Sequence, residues 1–401
     1  MSRPSGPAPY RRSLLAIAAL FCFLGFQYAS WAARLPAFKS RLGIGPAEIG
    51  LLLMACGAGA AASFPLVAAL LRRFGSRLLS LASGVVLTGV LLAFSVVPDY
   101  PLALVVAALD GVAVGCLNVA MNAQGAALEV RHGRTAMARL HATFSGGSLA
   151  GALIASGVNL FSTSVVVHFA IASVLLLALL GYAAPALLAE EPAAEPEQPA
   201  GKAGSKLPLP TRITLWMGLA MAFGTVTEGA MNDWSALYLR EVAHAGAELA
   251  PMGIAVVSVM MVLARVFADG WRNRWGDGRL VRSGSALAAA GLALALLAGG
   301  TVPALLGFAC MGLGMAAVTP CVYAAAARHG SDALSLVAAM GTTGLLAGPA
   351  VIGFVANGTS LVWGMATISV SAVLVSLSAT RIRFPAVAAG AAEPAVELAT
   401  P

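Results

Sequence analysis

One segment in the second half of the chain combines acids and an amide within an apolar run. Glu228, Asn232 and Asp233 lie about one helical turn apart between long stretches of apolar residues. Such surroundings disfavour the charged form of an acid, which is the condition under which a carboxyl group takes up and releases a proton. Two interpretations are open. Either Glu228 carries a coupling proton, with Asp233 as a further proton-coupling candidate, while Asn232 or Asp233 binds a solute, or the three form a hydrogen-bond network that only holds helices together.

The first half offers a second set of polar residues within apolar runs. Asp110 stands beside Gly111, where it carries a proton or bonds a neighbouring helix. Asn118 and Asn122 are spaced i and i+4, so their amides share one helix face. They bind the hydroxyls or carboxylate of a solute, or they join helices. His141 either lines the same path or makes a structural polar contact.

A third group lies on the first apolar run. Gln27, Trp31 and Arg34 follow the spacing i, i+4 and i+7, which places an amide, a stacking ring and a cation on one helical stripe. This combination suits a sugar or a small anion. Trp31 and Trp234 are candidates for solute binding, and the alternative is the interfacial belt, where tryptophan is common at helix ends.

The elements that position these residues are membrane-spanning helices. Of the 401 residues, 59% are hydrophobic and 10% are charged, against roughly 25% charged in soluble domains. The apolar residues form runs of about twenty or more, which is the length a helix needs to cross the hydrocarbon core. The strands of a membrane barrel would instead alternate between apolar and polar residues. The sequence therefore predicts an all-α membrane protein.

Breaks between the apolar runs predict twelve transmembrane helices. The predicted spans are 13–35, 47–71, 77–97, 101–128, 134–161, 164–188, 211–240, 251–271, 279–299, 302–328, 332–356 and 359–380. The resulting organisation is an N-terminal segment 1–12, a six-helix bundle 13–188, a polar linker 189–210, a second six-helix bundle 211–380, and a Pro-, Ala- and Glu-containing tail 381–401.

The net charge of +7 reflects topology rather than a nucleic-acid partner, because the basic residues stand in small groups at the ends of apolar runs. Lys39, Arg41 and Arg240 are the clear cations on one side, and most other basic residues fall on the opposite side. The positive-inside rule then predicts a multi-pass protein of the bacterial inner membrane with both termini in the cytoplasm.

The two halves of the sequence repeat with an offset of about 201 residues. The triplet Arg73-Phe74-Gly75 falls on Arg274-Trp275-Gly276, and Gly111 falls on Gly312. Because six spans are an even number, both copies enter the membrane in the same direction. They are predicted to be parallel repeats related by an axis along the membrane normal, as in one architecture of secondary transporters.

The segments that follow the second and eighth predicted helices resemble the loop signature of the major facilitator superfamily (MFS). This resemblance implies a cytoplasmic gate made of Arg73, Gly75, Arg77, Arg265, Asp269, Arg274 and Gly276. In the first half Ala68 replaces the counterpart of Asp269, and Arg72 stands where the signature usually has Asp. A charge latch is therefore expected mainly in the second half.

Two further segments resemble a bacterial branch of YbjJ-type transporters that is distantly similar to fucose/proton symporters. They run from Leu117 to Gln124 and from Glu228 to Trp234, and the region Phe144 to Gly147 extends the resemblance. The family resemblance implies the MFS fold, alternating access and coupling to an ion gradient, here H⁺.

The expected function is secondary active transport of a small polar, sugar-like or organic solute, most simply by proton symport. A proton-coupled efflux antiporter and a membrane sensor that binds without transporting are the alternatives. No Walker-type loop, HExxH motif or nucleophile elbow occurs in the sequence, and the five cysteines lack CxxC spacing. We therefore predict no enzymatic activity, no cofactor, no metal and no nucleic-acid partner for a monomer surrounded by membrane lipid.

Overall fold

The computed structural model describes residues 10–189 and 211–384. Most of the predicted linker and most of the predicted tail lie outside these ranges, as do residues 1–9. The described residues are almost entirely helical and contain no strand, which confirms the all-α prediction for this part of the chain.

Within the described ranges, six α-helices form the first half and seven form the second half. In the first half they are α1 Tyr10–Ala32, α2 Leu35–Leu42, α3 Pro46–Val96, α4 Tyr100–His132, α5 Met137–Asn159 and α6 Val165–Ala183. In the second half they are α7 Arg212–Glu241, α8 Met252–Trp275, α9 Asp277–Ala298, α10 Thr301–Met315, α11 Val318–Ala327, α12 Ser331–Gly358 and α13 Leu361–Ala379.

Three elements differ in kind from the sequence prediction, beyond shifts of a few residues at helix ends. Helix α3 covers two predicted spans, and its direction changes at Gly75, which has φ 73° and ψ 164°. The predicted span 302–328 is divided into α10 and α11. The short helix α2 was not predicted because Lys39 and Arg41 give its sequence no apolar run.

Eight helical segments of the described chain are long and apolar enough to cross a membrane, and the apolar stretch Met252–Ala268 is shorter. The chain alternates between two ends of the helical bundle. We call the end that carries residues 72–77, 131–139 and 272–282 the basic end. The opposite end carries residues 33–45, 160–164 and 242–251.

Helices within each half approach closely at small residues. A Cβ atom added to Gly111 of α4 would lie 1.8 Å from the Cys56 carbonyl oxygen of α3, and one added to Gly147 of α5 would lie 2.2 Å from that of Cys22 in α1. At Gly344 of α12 the corresponding distance to the Ala222 carbonyl oxygen of α7 is 2.2 Å. These contacts hold α1, α3 and α7 in place. These three helices carry most of a set of linked polar side chains that we call the central polar cluster, namely Gln27, Tyr28, Cys56, Asp110, Ser145, Glu228, Asp233 and Arg265.

Candidate functional site

Asp110 is buried in the first half with two hydrogen-bond donors around it. Gln27 Nε2 of α1 donates to Asp110 Oδ1 at 2.9 Å, and the Cys56 thiol of α3 donates to Oδ2 at 3.5 Å. The Asp110 residue is 5% exposed. Among the described residues, no cation forms an ion pair with this carboxyl group. The two hydrogen bonds therefore offset the free-energy cost of burying it.

Asp233 occupies a similar setting in the second half. The Tyr28 hydroxyl of α1 donates to Asp233 Oδ1 at 2.5 Å, and Asp233 is also 5% exposed. In the described part of the chain, Asp233 likewise has no ion-pair partner. Gln27 and Tyr28 are consecutive residues, so one turn of α1 contacts a buried acid in each half of the chain.

Glu228 differs from both aspartates because it has a cationic partner. Arg265 Nη2 lies 3.2 Å from Glu228 Oε1, and the two side chains are 25% and 31% exposed. Arg265 Nη1 also donates to Ser145 Oγ of α5 in the first half at 2.6 Å. Arg265 therefore bridges the halves near the middle of the bundle.

Arg265 lies away from Arg274 and Gly276, two other residues of the predicted cytoplasmic gate. Ten residues separate Arg265 from Trp275 at the end of α8, which corresponds to about 15 Å along a helix. The contacts of Arg265 place it with Glu228 and Ser145 in the central polar cluster.

Of the predicted amide and imidazole candidates, Asn232 and His141 lie near Glu228. Asn122 Nδ2 donates to Asn118 Oδ1 at 2.7 Å, which confirms their shared helix face. Asn232 Nδ2 donates to the Glu228 carbonyl oxygen at 3.1 Å. His141 is exposed, lies within electrostatic range of Arg265 and Glu228, and has its ring 5.1 Å from that of Phe21.

The predicted stripe of Gln27, Trp31 and Arg34 does not form one binding surface. Helix α1 ends at Ala32, so its periodicity does not extend to Arg34. The Trp31 ring stacks on Phe94 at 4.0 Å. Arg34 is 2% exposed and donates from Nε to His168 Nδ1 at 3.0 Å.

Trp234 does not fit the interfacial-belt alternative. Its side chain is fully buried, and its indole Nε1 has no hydrogen-bond partner among the described residues. A buried ring of this kind packs against neighbouring side chains inside the bundle. It does not belong to an interfacial belt, where the polar tip of the ring meets water.

At the basic end, the two signature glycines have matching backbone conformations. Gly75 has φ 73° and ψ 164°, and Gly276 has φ 77° and ψ 152°. This left-handed φ favours glycine, because a side chain would be strained there.

The other predicted gate residues make separate contacts. Arg77 Nη2 donates to the Ala184 carbonyl oxygen at 3.0 Å, and the Arg73 guanidinium lies 5.3 Å from the Phe74 ring centre. Arg274 is exposed, and the side chain of Asp269 lies outside the described residues.

Sequence reasoning missed an ion pair at this end. Arg272 Nε donates to Asp277 Oδ1 at 2.8 Å, and Arg272 Nη2 donates to Oδ2 at 3.0 Å. Asp277 is 4% exposed. Its position directly after Gly276 is the signal that could have identified it.

The opposite end carries hydrogen bonds between the two halves. Lys39 Nζ lies 2.6 Å from Glu241 Oε1 and 2.8 Å from Oε2. Ser156 Oγ donates to the Glu248 carbonyl oxygen at 2.5 Å, and Asn159 Nδ2 donates to that of Ala247 at 2.6 Å. We call these contacts the outer latch.

The latch is supported from within the first half. Asn159 Oδ1 accepts a hydrogen bond from Arg34 Nη1, and His168 Nδ1 accepts from Arg34 Nε. Asn159 is therefore oriented by a buried arginine while its amide nitrogen holds the second half. Sequence reasoning missed Asn159 because an isolated amide at a helix end carries no spacing signal.

The cluster has no metal-site geometry. No group of three or more histidine, cysteine, aspartate or glutamate side chains comes together in the described ranges. All five cysteines are free thiols. The arrangement supplies hydrogen-bond donors and acceptors, one exposed imidazole and two buried acids, which suit solute binding and proton exchange.

Comparison with known proteins gives one consistent result. A family model described as Major Facilitator Superfamily matches residues 15–332. An uncharacterized MFS-type transporter of Yersinia pestis is 30% identical over 367 residues, which cover 90% of this chain and 94% of the relative.

Two solved structures share the fold at low sequence identity. The nucleoside transporter NupG is 15% identical, with a TM-score of 0.69, and the match covers 92% of this chain and 98% of NupG. FucP, a transporter in the outward conformation, is 16% identical with a TM-score of 0.62, and the match covers 93% of this chain and 99% of FucP.

Proposed function

Because the chain belongs to the Major Facilitator Superfamily, we propose that it moves a small polar solute across the bacterial inner membrane by alternating access. The observation that carries this proposal is the position of the outer latch relative to the central cluster. The halves are hydrogen-bonded at the opposite end, and polar side chains of both halves face each other deeper in the bundle.

The architecture behind this mechanism is a pair of six-span halves, 13–188 and 211–380, inserted in parallel. The matching conformations of Gly75 and Gly276 support the repeat. In this arrangement α3 supplies two spans, α10 and α11 form one, and α2 lies at the surface. The basic end faces the cytoplasm, as the positive-inside rule requires.

Alternating access requires two alternative closures around one site. The outer latch closes the opposite end, so we infer that a solute would reach the site from the basic end in this conformation. Breaking the Lys39–Glu241 pair and the bonds from Ser156 and Asn159 would release the opposite end. The central contacts of α1 with α7, and of α8 with α5, lie where the halves would rock against each other.

Proton coupling is assigned to Asp233, with Asp110 as a second site, and the energy source is the proton gradient. Both are buried acids without a cationic partner among the described residues. Glu228, the first of the proton-coupling candidates drawn from the sequence, is instead held by Arg265 in an ion pair. We therefore assign Glu228 and Arg265 to solute binding.

The solute that fits this site is sugar-like or a small organic molecule. Asn118, Asn122, Asn232 and His141 supply neutral donors and acceptors, which suit hydroxyl groups. Arg265 and Glu228 compensate each other in charge, so the site does not require a strongly cationic or anionic solute.

The test is uptake of labelled sugars and organic acids into proteoliposomes with an imposed pH gradient. Accumulation of one solute that follows the pH gradient and collapses with a protonophore is the expected result. Binding of a solute without any movement across the membrane would replace the transporter proposal with the sensor alternative. Movement that ignores the pH gradient would remove the proton from the mechanism and leave alternating access intact.

A further inference from the structure

A separate groove lies at the basic end of the second half, away from the central cluster. It has a volume of about 380 Å³ and lies between the turn that joins α8 to α9 and the end of α13. Its lining includes Trp275, Arg279, Arg282, Thr380 and Phe384. The groove therefore combines two arginines, a hydroxyl group and two aromatic rings at the surface of the bundle.

The two arginines of the groove keep most of their donors free. Arg282 Nε donates to the Gly278 carbonyl oxygen at 2.9 Å, and both arginines are exposed. Asp277, an acid that also lines the groove, is already bound by Arg272 through two hydrogen bonds. Within residues 10–189 and 211–384, no acid pairs with Arg279 or Arg282, so the groove has an uncompensated positive charge.

An aromatic stripe on α8 leads to this groove. Phe267 stacks on Trp271 with 5.9 Å between the ring centres, and Trp271 stacks on Trp275 with 6.1 Å between the ring centres. Phe267 is 54% exposed and Trp275 is 46% exposed. Phe267 lies two positions after Arg265, so it projects about 200° away from the central cluster. The stripe therefore faces the surroundings of the bundle, where rings of this kind sit at the head-group level.

We propose that this groove binds the phosphate head group of an anionic phospholipid, with the acyl chains against the aromatic stripe. The arginines supply the planar donors that suit a phosphate, and basic pockets between membrane helices at this level bind anionic head groups. The site is independent of the transported solute and of proton coupling. It depends only on the chain being embedded with this end at the lipid head groups.

The positive charge at Arg282 is not repeated at the corresponding position of the first half. With the offset of 201 residues, Arg282 falls on Leu81 in the first half. An arginine that the loop fold required would be expected in both copies. The positive charge of Arg282 is therefore specific to the second half. A lipid site on the side of one bundle requires such a charge in only one of the two halves.

The test is native mass spectrometry of the full chain with added phosphatidylglycerol or phosphatidylcholine. The charge variant is Arg279→Ala with Arg282→Ala. The matched control is Arg131→Ala with Arg139→Ala, which removes two exposed arginines from the first half. We expect the wild type and the control to prefer phosphatidylglycerol, and the charge variant to lose about 10- to 30-fold of that preference.

Two results would overturn the proposal. Equal retention of phosphatidylglycerol by the charge variant and the control would show that the groove does not bind the lipid. A second arm adds inorganic phosphate and records the thermal unfolding of each protein. Stabilisation by phosphate that depends on both groove arginines, without retention of lipid, would identify a free anion as the ligand. Because neither readout needs transport, failure here leaves the proposed function standing.

Discussion

The Tyr28 hydroxyl donates a hydrogen bond of 2.5 Å to Asp233 Oδ1, across the boundary between the two halves. A deprotonated carboxylate only accepts hydrogen bonds, and a charge-assisted bond of this kind is stronger than a neutral one. Protonation of Asp233 therefore weakens the bond to Tyr28. Under the proposed mechanism, this contact would couple proton binding at Asp233 to the separation of α1 from α7.

The first prediction concerns Asp233 itself. Asp233→Asn keeps the size of the side chain and an acceptor for Tyr28, so the variant is expected to fold. It removes the exchangeable proton, so accumulation driven by a pH gradient should fall to background while solute exchange at equal pH remains. The measurement is uptake and exchange in proteoliposomes.

The control for this prediction is Asp332→Asn, which changes an exposed acid in the first turn of α12. It should accumulate solute like the wild type. Gradient-driven accumulation by Asp233→Asn at the wild-type level would rule out Asp233 as the proton site and return attention to Asp110.

The second prediction separates Glu228 from the coupling sites. Glu228→Gln keeps an acceptor for Arg265 but removes the charge of a half-exposed ion pair, which is worth roughly 1 kcal/mol or less. We expect KM for the solute to rise about three- to fivefold, with gradient-driven accumulation retained. Initial uptake rates over a range of solute concentrations measure this change.

Arg265→Lys is the companion variant. A single ammonium group lacks the planar fork with which Arg265 binds Ser145 and Glu228 at the same time. Arg265→Lys should therefore raise KM for the solute further than Glu228→Gln does. If Glu228→Gln lost gradient-driven accumulation while KM stayed unchanged, the assignment of Glu228 to solute binding would be contradicted. The sequence-based hypothesis that Glu228 carries the coupling proton would then be supported.

Much of the fold was predictable because apolar runs of helix length report membrane spans directly. The limits of α7 and α13 differ from their predicted limits by one or two residues. The short helix α2 could not be found this way, since it lies at the end of the bundle and has no apolar run. The separation of α10 from α11 depends on local packing within one continuous apolar stretch.

The candidate site was predictable only where polarity stood out. Asp110, Glu228 and Asp233 are conspicuous in apolar surroundings, but their partners are not. Cys56 resembles a small core residue in the sequence, and tyrosine residues such as Tyr28 are common in membrane helices. Their bonds to the two acids depend on which helices become neighbours, and this requires the tertiary structure.

The third prediction concerns the outer latch. Lys39→Glu places two acids together at the opposite end, so the closed contact between the halves should weaken by about 1 kcal/mol, or roughly fivefold in population. Spin labels at Thr163 and Leu249, both exposed at this end, would report the separation of the halves. In Lys39→Glu, the fraction of molecules with a long distance between the two spin labels should increase.

The control is the double exchange Lys39→Glu with Glu241→Lys, which restores opposite charges. It should return the distance distribution toward that of the wild type. An identical distribution in the single variant and the wild type would show that the ion pair does not hold the opposite end closed.

The fourth prediction uses the close approach of α3 and α12 between the halves. A Cβ atom added to Gly353 would lie 2.5 Å from the Pro46 carbonyl oxygen, and one added to Gly50 would lie 2.7 Å from that of Pro349. Gly353→Val would therefore force the halves apart at the opposite end without affecting packing inside either half. We expect a folded protein that binds solute but does not transport it, with a longer distance between the labels at Thr163 and Leu249.

Gly111→Val is the matched comparison, because its clash with the Cys56 carbonyl oxygen lies inside the first half. That clash separates α3 from α4 in every conformation, so overpacking should prevent folding rather than transport. Size-exclusion chromatography should show a monodisperse Gly353→Val protein and an aggregated Gly111→Val protein. Transport by Gly353→Val at the wild-type rate would mean that α3 and α12 need not meet during the cycle, and the closure inferred for the opposite end would then be wrong.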